Sequence, residues 1–205
     1  DRKGLDHFVQ EYYQQVQTMS LYRQRTASIL LAVCAQLILN ESGAGLQEAL
    51  GGEEKVWERL LRFETARESI QWVQKMLWSV SRFLGRQREQ KEQKLIEQVQ
   101  RYVEKHLQDD LHLEEIARHF FYSPNYLNSR FKKETNLTIS EYITRRKIAE
   151  AKRRLLQTRE PVAEIAAQVG YEHVSYFNFV FKKMEGMTPR EFRQLQGGGE
   201  DHEDA

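Results

Sequence analysis

The second half of the chain is written twice. Glu115-Ile116-Ala117 opens a stretch that closes on Phe131-Lys132-Lys133, Thr138 and Glu141-Tyr142. Glu164-Ile165-Ala166 opens another, which closes on Phe181-Lys182-Lys183, Thr188 and Glu191-Phe192. The offset is 49 residues at the start and 50 at the end, so one residue is inserted between. A period of this size marks a duplicated supersecondary unit, here a helix, a turn and a second helix in each copy. We place these units at 113–135 and 162–185.

Local signals agree with that reading. Ser123-Pro124 and Thr188-Pro189 set a capping hydroxyl before a proline at the first helical position. Thr138-x-x-Glu141 and Thr188-x-x-Glu191 are capping boxes at equivalent places, and Pro161 opens the second copy. Between the copies, residues 140–157 (SEYITRRKIAEAKRRLLQ) carry an uninterrupted helical pattern. Such a helix is roughly 27 Å long. It could hold two helix-turn-helix units so that each enters one of two successive major grooves, about 34 Å apart, on slightly bent DNA. Phe120, Leu127, Phe131, Tyr142, Leu155, Val169, Phe177, Phe181 and Phe192 are the expected core.

Upstream, apolar residues at Leu5, Phe8, Tyr12, Val16, Met19, Tyr22, Ile29, Val33 and Leu37 predict one helix over 5–39 with a single buried face. A glycine-punctuated loop (Gly43 to Gly52) leaves room for a short helix. A second pattern over 56–84 places Trp57, Leu60, Leu61, Phe63, Ile70, Val73, Leu77, Val80 and Leu84 inward. The wholly polar run RQREQKEQK (86–94) reads as a solvated helical bridge. The organisation expected is a helical relay or dimerisation segment at 1–93, a double helix-turn-helix domain at 94–196, and an acidic disordered tail at 197–205. The fold class is all-α.

Composition closes off other classes. With 40% hydrophobic and 30% charged residues and only three prolines, the 205-residue chain is neither disordered nor collagen-like. The most apolar stretch, Ile29 to Leu39, is about half the ~20 residues a bilayer requires, so no membrane contact is expected. One cysteine, Cys34 in LLAVCAQLIL, excludes a disulfide framework and reads as a buried small hydrophobe. His106, His112 and His119 lack the i, i+4 spacing of helical metal sites. Neither a phosphate-cradling glycine loop nor a nucleophile elbow is present. No cofactor, metal or enzymatic activity is expected. Residue 1 is aspartate and no leader pattern follows, so the chain is expected to be part of a longer, cytoplasmic product. Net charge is +1 overall but +4 over 94–196, a mild hint of a polyanionic partner.

EIARHFFYSPNYLNSRFKKETNLTISEYI, RRKIAEAKRRLL and EIAAQVGYEHVSYFNFVFKKMEGMTPREFR together resemble the DNA-binding domain of the AraC/XylS family of bacterial transcription regulators, over about 95–195. The upstream half is similar to the helical segment that precedes this domain in YesN-type response regulators. The resemblance implies promoter DNA and RNA polymerase as partners, nucleoid association, and carbohydrate-utilisation genes as targets. It also implies that the second helix of each unit lies in the major groove. A homodimer is expected because Trp57, Trp72, Trp78 and the long apolar stripes of 1–93 exceed what a small helical hairpin can bury by itself. The major-groove placement presents Asn125, Asn128, Ser129 and Arg130 to bases from the first unit, and His173, Val174, Ser175, Asn178 and Phe179 from the second. Asparagine can pair bidentately with adenine, and valine can meet a thymine methyl. Lys132, Lys133, Arg145, Arg146, Lys182 and Lys183 are the candidate phosphate contacts.

The chain departs from the family where arginine is common, carrying Ser129 and Phe179, and Asn136 stands where Gly186 stands in the second copy. Weak guanine readout follows, with a preference for A·T-rich or shape-selected sites. An alternative reading makes 1–93 a dimerising or effector-binding adaptor with the DNA-binding domain as its output.

Overall fold

The structure, a computed structural model, describes residues 2–52 and 55–196; the acidic tail lies outside the described residues. The chain divides into two compact units, Asp1–Lys91 and Glu92–Ala205. The described residues form helices and no strands.

In the first unit, α1 (Arg2–Val16) and α2 (Leu21–Asn40) replace the single helix expected over 5–39. The break is built by polar side chains. Gln24 donates from Nε2 to the Val16 and Met19 carbonyls at 2.8 and 2.9 Å, and the Thr18 hydroxyl donates to Gln15 at 3.0 Å. Carbonyls that would have continued the ladder are thereby satisfied. A short α3 (Leu46–Ala49) follows in the glycine loop, then α4 (Val56–Leu61) and α5 (Ala66–Lys105). The second expected helix is therefore also broken, after Leu61. Arg25 donates to the Phe63 carbonyl (Nε···O 2.8 Å), and Thr65 caps the start of α5, its Oγ1 accepting from the Glu68 amide at 3.2 Å, while Glu68 Oε2 accepts from the Glu64 amide at 3.1 Å. The polar run 86–94 is helical throughout, within α5.

The buried face of α2 is not the expected one. Gln24, Ser28, Ala32, Ala35 and Leu39 point inward, whereas Tyr22, Val33 and Leu37 are exposed, as are Phe8 and Met19 before them. At Ser28 the approach to α5 is close: Ser28 Oγ and Ser69 Oγ meet at 2.7 Å. Cys34, next to inward Ala35, is exposed rather than buried. Trp57 and Leu61 on α4 are exposed too, while Leu60, Phe63, Trp72, Val73 and Met76 fill the core.

The second unit holds the last part of α5, then α6 (Leu113–His119), α7 (Pro124–Thr135), α8 (Ile139–Gln157), α9 (Val162–Gln168), α10 (Val174–Glu185) and α11 (Pro189–Gln196). It has two cores. Val99, Val103, Ile116, Leu127, Phe131, Ile139 and Ile143 form the first; Ile148, Ala151, Leu155, Ile165, Val169, Phe177, Phe181 and Phe192 form the second. Phe120 and Tyr142, read as core, pack half-buried against the first. Helix α8 feeds both, its early residues entering one core and its later residues the other.

Candidate nucleic-acid interface

Each copy ends in a helix whose two ends are fixed locally. Helix α7 starts on Ser123, whose hydroxyl accepts from the Tyr126 amide at 3.3 Å, with Pro124 at the first position. It stops at Asn136, which adopts the left-handed φ of 59°. Helix α10 starts after His173, whose side chain makes no cap hydrogen bond, and stops at Gly186 with φ 78°. Both capping boxes form as the sequence implies. Glu141 Oε2 accepts from the Thr138 amide at 2.8 Å, and Glu191 Oε2 from the Thr188 amide at 2.7 Å. Those amides, then the threonine hydroxyls, hold both carboxyls below the usual glutamate range.

Helical spacing puts Asn125, Asn128, Ser129 and Lys132 on one stripe of α7, and Ser175, Asn178, Phe179 and Lys182 on the matching stripe of α10. Asn125, Ser129, Lys132 and Lys133 are exposed, as are His173, Ser175, Phe179, Lys182 and Lys183; Asn178 is half-buried. Phe179 is 62% exposed. The two stripes occupy the same register of their units.

Several candidates are committed elsewhere. Asn128 Oδ1 accepts from the Ile139 amide at 2.9 Å, tying α7 to the start of α8 and leaving only its NH2 group for a base. Arg130 turns away from the stripe: its Nη1 meets Glu92 on α5 at 3.0 Å, both side chains largely buried, and its guanidinium lies 5.4 Å from the Tyr126 ring centre. That ion pair removes Arg130 as a base reader in this conformation. Arg146 pairs with Glu104 at 3.1 Å while remaining half-exposed, and Arg145 is exposed. Val174 packs partly against the second core.

Sequence reasoning missed two residues. Lys147, on the connecting helix, is only 6% exposed although it reads as one more surface cation of a basic run. Phe121 is 95% exposed with φ 61°, in the turn of the first unit where the second has Gly170. Alignment of the two copies marks that position as left-handed, because a glycine fills it in the second. Among the described residues no group of three or more His, Cys, Asp or Glu side chains could hold a metal, and no helix is long and apolar enough to cross a membrane.

Two helix-turn-helix units on one connecting helix define the double helix-turn-helix class of DNA-binding domains. The model of the helix-turn-helix domain family matches residues 116–195. The transcriptional regulatory protein YesN of Bacillus subtilis is 42% identical over 80 residues, which cover 38% of this chain and 22% of that protein. The arabinose operon regulatory protein of Escherichia coli is 33% identical over 93 residues, 45% of this chain and 32% of that one. The solved C-terminal domain of AraT, a response regulator from Geobacillus stearothermophilus, is 31% identical with a TM-score of 0.51, covering 54% of this chain and 93% of that domain. The chain belongs to the AraC family of helix-turn-helix proteins, through its second unit. It spans about a third or less of the length of these two curated relatives.

Proposed function

We propose that the second unit binds promoter DNA in two successive major grooves and that the chain is the output end of a bacterial transcriptional regulator. One observation carries this reading: two recognition stripes in the same register, set on a 19-residue helix about 28 Å long. Asn125 and the free amide group of Asn128 read bases from α7. Ser175, Asn178 and Phe179 read from α10, which docks more through shape and backbone because it lacks an arginine. Lys132, Lys133, Lys182, Lys183 and Arg145 neutralise phosphates, and Arg146 joins them when it leaves Glu104.

The finer reading is a response-regulator output in the cytoplasm, one that recruits RNA polymerase to carbohydrate-utilisation genes; the names of the YesN, AraT and arabinose-operon relatives support it. A homodimer is supported by α2, whose exposed Leu30, Val33, Leu37 and Ile38 lie on a stretch without charge from Thr26 to Asn40. Nothing on that face repels a second copy of itself. The same face favours the adaptor reading, in which the first unit docks a signalling partner.

Salt-dependent gel shifts with the full chain test the central part. Lys182→Ala should weaken binding to all sequences alike and flatten the salt slope by about one unit. Phe179→Arg should raise affinity and add a guanine preference worth roughly 1–3 kcal/mol in one half-site. Binding without salt dependence would contradict the proposal.

A further inference from the structure

Lys147 stands where α8 passes from one core to the other. Ile143, one turn earlier, belongs to the first core, and Ile148, one residue later, to the second. Its ammonium donates to the Asp109 carbonyl at 3.1 Å, in the loop that leads into the first helix-turn-helix. It also donates to the Gly170 carbonyl at 2.8 Å, in the turn of the second, and lies 5.4 Å from the Tyr171 ring centre. One buried cation thus holds backbone from both units, with carbonyl dipoles and a ring face as partners.

The repeat itself shows that this seam is a contact. Gly170 has φ +73°, and a Cβ there would stand 2.9 Å from the Gln108 carbonyl carbon and oxygen and 2.7 Å from the Lys147 nitrogen. Two backbones from different units touch at that point. The equivalent turn of the first copy carries Phe121, which is 95% exposed. Beside the seam the units part around a cleft of about 510 Å³, lined among others by His112, Thr144, His173 and Tyr176. Beyond the shared helix α8, the Lys147 hydrogen bonds and the approach of Gly170 to Gln108 bridge the two units beside that cleft.

Burying an amine without a carboxylate partner is costly. Burial accordingly holds the Lys147 pKa below the usual lysine range, against the opposing pull of Asp110 and Asp109. Such a group is retained more readily for the geometry it enforces than for stability. The geometry matters here because of leverage. A rotation of about 10° between units joined by a helix of ~28 Å displaces one end by roughly 5 Å, more than the ~3.4 Å rise of a base pair.

We propose that Lys147 is a positioning residue that locks the two helix-turn-helix units in one mutual orientation and thereby sets the half-site spacing the domain accepts. The proposal rests on the DNA-binding reading above. The test uses the full chain on its selected DNA site, alongside versions with one base pair added or removed between half-sites. Wild type should lose at least about tenfold in affinity on either altered spacing. Lys147→Met should keep affinity for the original spacing within about threefold while the spacing penalty shrinks to two- or threefold. Lys147→Arg should restore most of the penalty. A folded Lys147→Met protein that retains the full penalty overturns the proposal.

A second measurement does not depend on that variant folding. With Cys34→Ser as background, spin labels at Lys133→Cys and Lys183→Cys should give one narrow distance distribution in protein free of DNA. A broad distribution overturns the lock. Wild type that selects no duplex DNA refutes the functional reading, while the distance distribution still decides whether the units are locked.

Discussion

Asn128 and Asn125 sit on the same stripe of α7 but meet different fates. The Asn128 carbonyl receives the Ile139 amide, one of the unpaired donors at the start of α8, while the Asn125 side chain makes no hydrogen bond among the described residues. Asn128→Ala should therefore lower stability by about 0.5–2 kcal/mol, the usual cost of a lost N-terminal partner. Asn125→Ala should leave stability unchanged and cost roughly 1–3 kcal/mol of binding on the preferred site only. Urea midpoints set beside affinities on selected and random DNA check both; equal stability losses would reject the distinction. Phe121 offers a separate test. A left-handed backbone costs a non-glycine residue about 1–2 kcal/mol, and the ring is too exposed to lose packing on removal. After roughly 0.4–1 kcal/mol of added chain entropy in the unfolded state, Phe121→Gly should still raise the thermal midpoint. A lowered midpoint would show that the ring has a stabilising contact. The stripes, caps and left-handed stops could be read from sequence because each depends on residues within one or two turns. The commitments of Arg130 to Glu92, 38 residues away, and of Lys147 to Gly170, 23 away, could not, because spacing along a chain does not report partners brought together by folding.

At the scale of elements, the two capping boxes make α8 and α11 sensitive to acid. Their glutamates ionise more readily folded than unfolded, chiefly through hydrogen bonds from the Thr138 and Thr188 amides. A carboxyl with a lowered folded pKa stabilises above its unfolded value, about 4.3, and that contribution is lost as pH falls through the folded one. The double variant Glu141→Gln, Glu191→Gln should be less stable than wild type at pH 6 and approach it at pH 3. A gap that stays constant in urea melts at both pH values would contradict this. Helix α2 shows the limit of periodicity as a guide. Its large residues repeat at helical spacing, yet Gln24, Ser28, Ala32, Ala35 and Leu39 are the ones buried, with Ser28 meeting Ser69 of α5 at 2.7 Å. A helix apolar on every side gives no contrast from which to choose a face. The break before α5 is hidden in the same way, because apolar spacing continues across it from Leu61 to Ile70 while the Thr65 hydroxyl caps the new helix by accepting from the Glu68 amide.

At the scale of the whole molecule, the first unit leaves apolar surface on α2 that a single copy does not cover. Sedimentation of the full chain at tens of micromolar should show a dimer, and Leu37→Glu, at a 60% exposed position, should give a folded monomer. A wild-type monomer would instead favour a signalling partner on that face. Cys34, exposed on α2, should react with a thiol reagent in the native monomeric variant. The central claim is that one chain reads two neighbouring major grooves. Hydroxyl-radical footprinting of the full chain on a site selected from random DNA tests it most directly. The account predicts two protected segments on one face of the duplex, about 10 base pairs apart, fading together as salt rises. A single protected segment, or no sequence enriched by selection, would contradict it.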